Sequence, residues 1–176
     1  MEKFNRRTYR GLADLLRDLG ALWSQRSRIR PLMRGESVSP ALRERLFLTV
    51  TAVNGCRYCS YVHARQALVE GVPEAQVGAL GDGTLEGCPA EELPALLYAQ
   101  HWADSGARPD AAAREKLVQT YGETEAADIE VGLRVIRMAN LLGNLVDLVL
   151  YRLSFGRWDL QAHPRMGRRP RRSRAS

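Results

Sequence analysis

Apolar residues recur along this chain three and four positions apart, and no segment alternates with a period of two. That spacing lines one face of a helix, whereas a half-buried strand would alternate. Leu12, Leu15, Leu16, Leu19, Leu22 and Trp23 predict a first helix from Tyr9 to Trp23. Residues 24–38 are basic, are interrupted by Pro31 and Gly35, and read as a connector. Ser39-Pro40 is a strong helix start, a capping hydroxyl followed by proline at the first helical position. The helix it opens runs through Leu42, Leu46, Phe47, Val50 and Val53. Asn54-Gly55 then reads as the start of a second helix that reaches about Glu70. Gly71-Val72-Pro73 ends that helix and begins a short one through Leu80.

The loop from Gly81 to Pro89 is rich in glycine, but it has neither the spacing of a phosphate-binding loop nor its Lys-Ser/Thr ending. Leu93 to Trp102 is helical, and Pro109 opens another helix that closes at Tyr121-Gly122. Thr124 to Phe155 is the longest helical stretch, apolar around much of its circumference, and predicts the central buried helix. The class is all-α: one helical domain over residues 1–162, then a basic, disordered tail over 163–176.

Charge sharpens this division. The chain holds 26 Lys and Arg against 20 Asp and Glu. Arg165, Arg168, Arg169, Arg171, Arg172 and Arg174 sit in the last twelve residues, which contain no acid. Without them the two signs balance, so the body is neutral, and no nucleic-acid partner is expected for it. The tail reads as a solvated one. No run of about 18 uncharged apolar residues predicts a membrane span. The first residues lack the apolar core of a signal peptide. Three cysteines, Cys56, Cys59 and Cys88, do not make a secreted disulfide framework. A cytoplasmic location and no cofactor are the expectations.

The chemistry concentrates in Cys56-Arg57-Tyr58-Cys59-Ser60-Tyr61-Val62-His63. On a helix, Cys56, Cys59 and His63 share one face. A thiol in the first helical turn is favoured as thiolate by the unpaired N–H groups and the helix dipole. A low-pKa thiolate beside a second thiol and an imidazole is equipped for thiol–disulfide chemistry. Cys56 is favoured as the attacking thiol by its helix position, Cys59 by its closeness to His63, and the spacing does not decide between them. Glu44, twelve residues before Cys56, neighbours Phe47 and Leu48 on its helix and is a candidate half-buried proton carrier. The competing reading of Glu44 is a surface salt bridge to Arg43, Arg45 or another arginine. The competing reading of the cluster is a metal site: Cys56, Cys59 and His63 as zinc ligands, with Glu44 or Cys88 as a fourth. Cys88 otherwise reads as a bystander in its loop, and His101-Trp102 as helix packing.

Glu44, Cys56, Cys59 and His63 together resemble the active-site signature of the alkylhydroperoxidase AhpD-like / carboxymuconolactone decarboxylase-like family. Asn54-Gly55-Cys56-Arg57-Tyr58-Cys59 is similar to that family's Asn-x-Cys-x-Tyr-Cys core. Ala95 to Ala99 resembles its next helix, and Ile129-Glu130 followed by Asn140 and Asn144 its closing one. The resemblance covers roughly residues 40–153. It implies an AhpD-like helical bundle that assembles into a homo-oligomer, a trimer or a hexamer. It also implies a peroxidase that cycles Cys56 and Cys59 between dithiol and disulfide, with Glu44 and His63 as the proton relay. A hydroperoxide would be the oxidant, and a lipoyl-type or other dithiol the electron donor. Tyr58 stands where some members carry a second histidine. The decarboxylase branch generally lacks the cysteine pair, so decarboxylation is not implied.

Overall fold

The computed structural model describes residues 6–154, and the predicted tail lies outside the described residues. Among the described residues there are seven helices and no strand, as the all-α reading requires. They are α1 (Leu12–Ser24), α2 (Arg26–Arg34), α3 (Pro40–Asn54), α4 (Arg57–Val69), α5 (Glu74–Gly81), α6 (Leu93–Asp104) and α7 (Ala111–Leu153).

One helix stands where the sequence predicts a connector. The basic connector contains α2, which keeps Pro31 in its interior and stops at Gly35 in the left-handed region. Proline costs α2 one internal hydrogen bond, and burial of Leu32 against the core offsets it. Within α7, Gly122 has φ 77° and ψ 164°, which breaks the helical run where Tyr121-Gly122 predicts a boundary. Asp110 caps the N-terminal part through the backbone N–H of Ala113 at 2.8 Å.

The central helix is α3, not the long C-terminal one. It packs against α4, α5, α6 and α7. Leu42, Leu46, Phe47, Leu48 and Val50 are buried along it, and so are Arg43, Glu44, Arg45, Thr49 and Thr51. Helix α7 covers one side of α3 but leaves Leu142, Val146, Val149 and Leu153 exposed. Its apolar circumference therefore serves two faces, one inward and one outward.

A helix buried on all sides must satisfy its polar groups inside the protein. Arg45 meets both carboxylate oxygens of Glu92 at 3.0 and 3.1 Å and reaches Gln76 at 3.1 Å. Thr49 bonds back to the carbonyl of Arg45. Thr51 exchanges hydrogen bonds with Asn140 of α7. Tyr98 of α6 donates to Glu130 of α7 at 2.5 Å, and both burial and that carboxylate push its phenol pKa upward. The Arg45 and Thr51 contacts fix the rotation of α3 relative to its neighbours, and so fix where Glu44 points.

Candidate functional site

Ser39 accepts a hydrogen bond from the Leu42 N–H at 3.2 Å, which starts α3 one turn before Glu44. The helix ends at Asn54 rather than restarting there. Gly55 takes φ 74°, the left-handed geometry of a helix C-cap, and bonds back to the Thr51 carbonyl at 2.8 Å. Cys56 then acts as the N-cap of α4, its sulfur accepting from the Cys59 N–H at 3.3 Å. Cys56 is therefore the capping residue, not a residue of the first turn. The Cys56 sulfur occupies the place of a capping oxygen, directly over the unpaired N–H groups.

Cys56 and Cys59 are joined as a disulfide, with Cα atoms 5.3 Å apart. Both are buried, Cys56 more deeply. Helix α7 approaches Cys56 at Gly143, where a Cβ would stand 3.6 Å from the sulfur. The junction is held from the same side. Asn144 donates to the carbonyls of Asn54 at 3.0 Å and Arg7 at 2.9 Å, and the Arg7 N–H donates to Asn54 at 3.1 Å. An ion pair between Arg6 and Asp147 lies alongside. Asn140 and Asn144, named above for their resemblance to the family's closing helix, are thus both fully buried and bonded to the end of α3.

Glu44 and His63 meet directly, Oε2 to Nδ1 at 2.8 Å. Glu44 is 2% exposed, so it is buried rather than half-buried. Its other oxygen accepts from Arg43 Nε at 3.1 Å and Nη2 at 3.0 Å. Arg43 is anchored in turn on the carbonyls of Met33 at 2.8 Å and Leu32 at 3.4 Å. The salt bridge weighed above as a surface pair therefore exists, but inside the protein and together with the histidine contact. Phe47, one turn after Glu44, sets its ring edge-on to the imidazole, 5.1 Å between centroids at 87°. With the carboxylate accepting from Arg43 on one side, Nδ1 of His63 donates to it on the other, so in the neutral imidazole the lone pair is on Nε2. Among the described residues Nε2 has no partner. It lies one turn beyond Cys59 on the same helix face.

The other candidates lie elsewhere. Cys88 packs partly buried between the two apolar clusters, and burial raises its thiol pKa. Trp102 is core, whereas His101 is exposed and pairs with Asp110 at 2.9 Å on the surface. Among the described residues no three His, Cys, Asp or Glu side chains are placed to hold a metal ion. Nor is any helix there long and apolar enough to cross a membrane.

Arg43, Phe47 and Gly143 complete the site, and sequence spacing alone does not assign them a role. The signal for the first two is local: they flank Glu44 on the helix that presents it. Gly143 has no such signal, because its closeness to Cys56 spans the whole fold.

The model of the carboxymuconolactone decarboxylase family matches residues 29–105. That segment runs from α2 to the end of α6 and contains Glu44, both cysteines and His63. No curated protein and no solved structure matches the chain.

Proposed function

Taking as premise that residues 29–105 match the model of the carboxymuconolactone decarboxylase family, we propose that this protein is a thiol-dependent peroxidase of the AhpD-like type, acting in the cytoplasm. One observation carries the reading. The helical hairpin that brings Cys56 and Cys59 together also bonds Glu44 to His63 at 2.8 Å.

The cycle begins with the dithiol. His63 Nε2 takes a proton from one of the two thiols, and Glu44 stabilises the imidazolium through Nδ1–H. The thiolate attacks the distal oxygen of a hydroperoxide. An S–O bond forms, the O–O bond breaks, and the alcohol leaves with the proton from His63. The sulfenic acid then condenses with the second thiol, forming the S–S bond and releasing water. A dithiol donor of the lipoyl type reduces the disulfide by exchange and is itself oxidised. Arg43 and Phe47 are positioning residues here: one holds the carboxylate, the other the ring.

The test is peroxide consumption by the reduced protein with a dithiol donor, followed by mass spectrometry of the oxidised chain. A Cys56–Cys59 disulfide formed in step with peroxide loss is expected. If the two cysteines stay reduced while Cys88 oxidises, or if the isolated protein carries stoichiometric zinc on Cys56 and Cys59, the reading fails.

We also propose that the protein works as a homo-oligomer, a trimer or a hexamer. Leu12, Leu16, Leu19 and Trp23 form one exposed apolar stripe on α1, and Leu142, Val146, Val149 and Leu153 form another on α7. Both have the spacing of a helix-pairing seam. Stripes of this kind mark association surfaces.

A further inference from the structure

A polar cavity lies apart from the Glu44–His63 pair and the two cysteines, none of which lines it. It has a volume of about 260 Å³ and opens between the segment before α1, the end of α6 and the loop after it. Five arginines line it: Arg7, Arg10, Arg17, Arg108 and Arg137. Two carboxylates share the wall, Asp14 and Asp104. Asp104 is taken by Arg7 at 2.9 Å. Asp14 is taken by Arg17 at 2.9 Å, with Arg108 at 3.8 Å. Behind the wall, Asp18 pairs with Arg137 but is shared with Arg134 at 3.0 Å. The cavity thus keeps an excess of positive charge after every local ion pair is formed. Arg10 has no hydrogen bond or ion pair among the described residues.

Its donors are also incompletely used. Asn54 lines the cavity, is 2% exposed, and its side-chain amide nitrogen has no hydrogen-bond partner. The Nε of Arg17 is likewise buried and unpartnered. A buried N–H without an acceptor costs about 1–3 kcal/mol. A group that offers several acceptor oxygens and negative charge would satisfy both donors of this arginine-lined cavity. Guanidinium groups bind carboxylate and phosphate through paired hydrogen bonds.

We propose that this cavity binds the oxyanion group of a small ligand, a phosphate or a carboxylate. Arg10, Arg17 and Arg108 hold the charge, and the Asn54 amide reads one oxygen at the floor. The cavity shares Arg7 and Asn54 with the junction beside Cys56, but none of Glu44, Cys56, Cys59 and His63 lines it, and binding there requires no redox step.

The experiment is thermal unfolding of the full chain with inorganic phosphate or succinate, titrated against sodium chloride at constant ionic strength. Constant ionic strength removes the general screening effect. A saturable rise in Tm beyond chloride is expected from at least one of the two anions, and the anion with the lower midpoint identifies the group. Arg10 and Arg108 are exposed, so the double variant Arg10→Gln/Arg108→Gln should fold. It should raise the midpoint tenfold or more, and Arg10→Lys/Arg108→Lys should recover part of the loss. Arg65→Gln, on α4 away from the cavity, should leave the midpoint unchanged. The proposal is overturned if neither anion acts beyond chloride, if the double variant binds as the parent does, or if Arg65→Gln weakens binding equally.

Discussion

Replacing Glu44 by glutamine isolates what its charge does, because the side chain keeps its shape. In the parent, one carboxylate oxygen accepts from Arg43 and the other from His63. A glutamine amide has one acceptor and one NH₂ group, so it is caught between two donors. With its carbonyl towards Arg43, its NH₂ faces Nδ1 of His63. The imidazole must then carry its hydrogen on Nε2, the wrong tautomer for a base. In the other orientation NH₂ faces the guanidinium, donor against donor. The first orientation costs less, so the main loss is in catalysis. Losing general-base help is worth about 10²- to 10⁴-fold in rate. The loss in stability is the exchange of charge-assisted hydrogen bonds for neutral ones, about 1.5–3 kcal/mol. At about 2–4 °C per kcal/mol for a protein of this size, Tm falls by about 3–12 °C. Glu44→Ala removes both acceptors beneath a buried guanidinium and should cost more, about 3–5 kcal/mol. Urea unfolding of the reduced proteins, peroxide consumption and the ¹⁵N shifts of His63 measure the three effects. A Glu44→Gln protein that keeps its rate within twofold and shows Nδ1 still protonated refutes the relay.

Other perturbations separate the remaining parts. Cys56→Ser and Cys59→Ser should each abolish turnover, and the variant that still accumulates a sulfenic acid under peroxide identifies the attacking thiol. Burial raises the Cys88 thiol pKa, so less of it is thiolate at any pH than in an exposed cysteine. Its alkylation by iodoacetamide should be slow at neutral pH and still rising above pH 9, while Cys88→Ser leaves turnover unchanged; rapid labelling at pH 7 contradicts this. Gly143→Ala places its Cβ at ordinary contact distance from the Cys56 sulfur and improves the helix by about 0.5–1 kcal/mol; a fall in Tm would show that the junction is tighter than this contact. Leu16→Glu on the exposed α1 stripe should shift sedimentation towards the monomer without lowering the Tm of the isolated chain, and an unchanged sedimentation profile removes α1 from the interface.

The periodic parts of the fold are legible in the sequence because a helix face repeats every three or four residues whatever it packs against. Ser39-Pro40 and Tyr121-Gly122 mark their boundaries by chemistry that acts locally. Asn54-Gly55 misleads because both residues occur at either end of a helix; the positive φ of Gly55 decides for the C-terminus. α2 is hidden by its arginines and Pro31, since only Leu32 buries deeply there. The identity of the central helix cannot be read from hydrophobicity, because α3 is buried together with its charges. Glu44 and His63 are legible as a pair only through the resemblance of Glu44, Cys56, Cys59 and His63 to the family's signature. Arg43 as an interior clamp requires the Leu32 and Met33 carbonyls, which the chain brings from another helix. The arginine cavity is composed from α1, α3, α6, α7, the segment before α1 and the loop after α6, so no stretch of sequence announces it.

The single turn at Gly55 and Cys56 also bears on the order of folding. Glu44 and His63 are nineteen residues apart along the chain, and both helices that carry them meet at that turn. Loop-closure entropy grows only slowly with length and is small for so short a separation. The hairpin can therefore assemble from local contacts, with no need for the cysteines to be crosslinked first. Reduction is then expected to leave the imidazole and carboxylate where they are. Amide exchange in α3 and α4 should then be equally slow in the dithiol and disulfide forms, with any difference confined to residues 55–59.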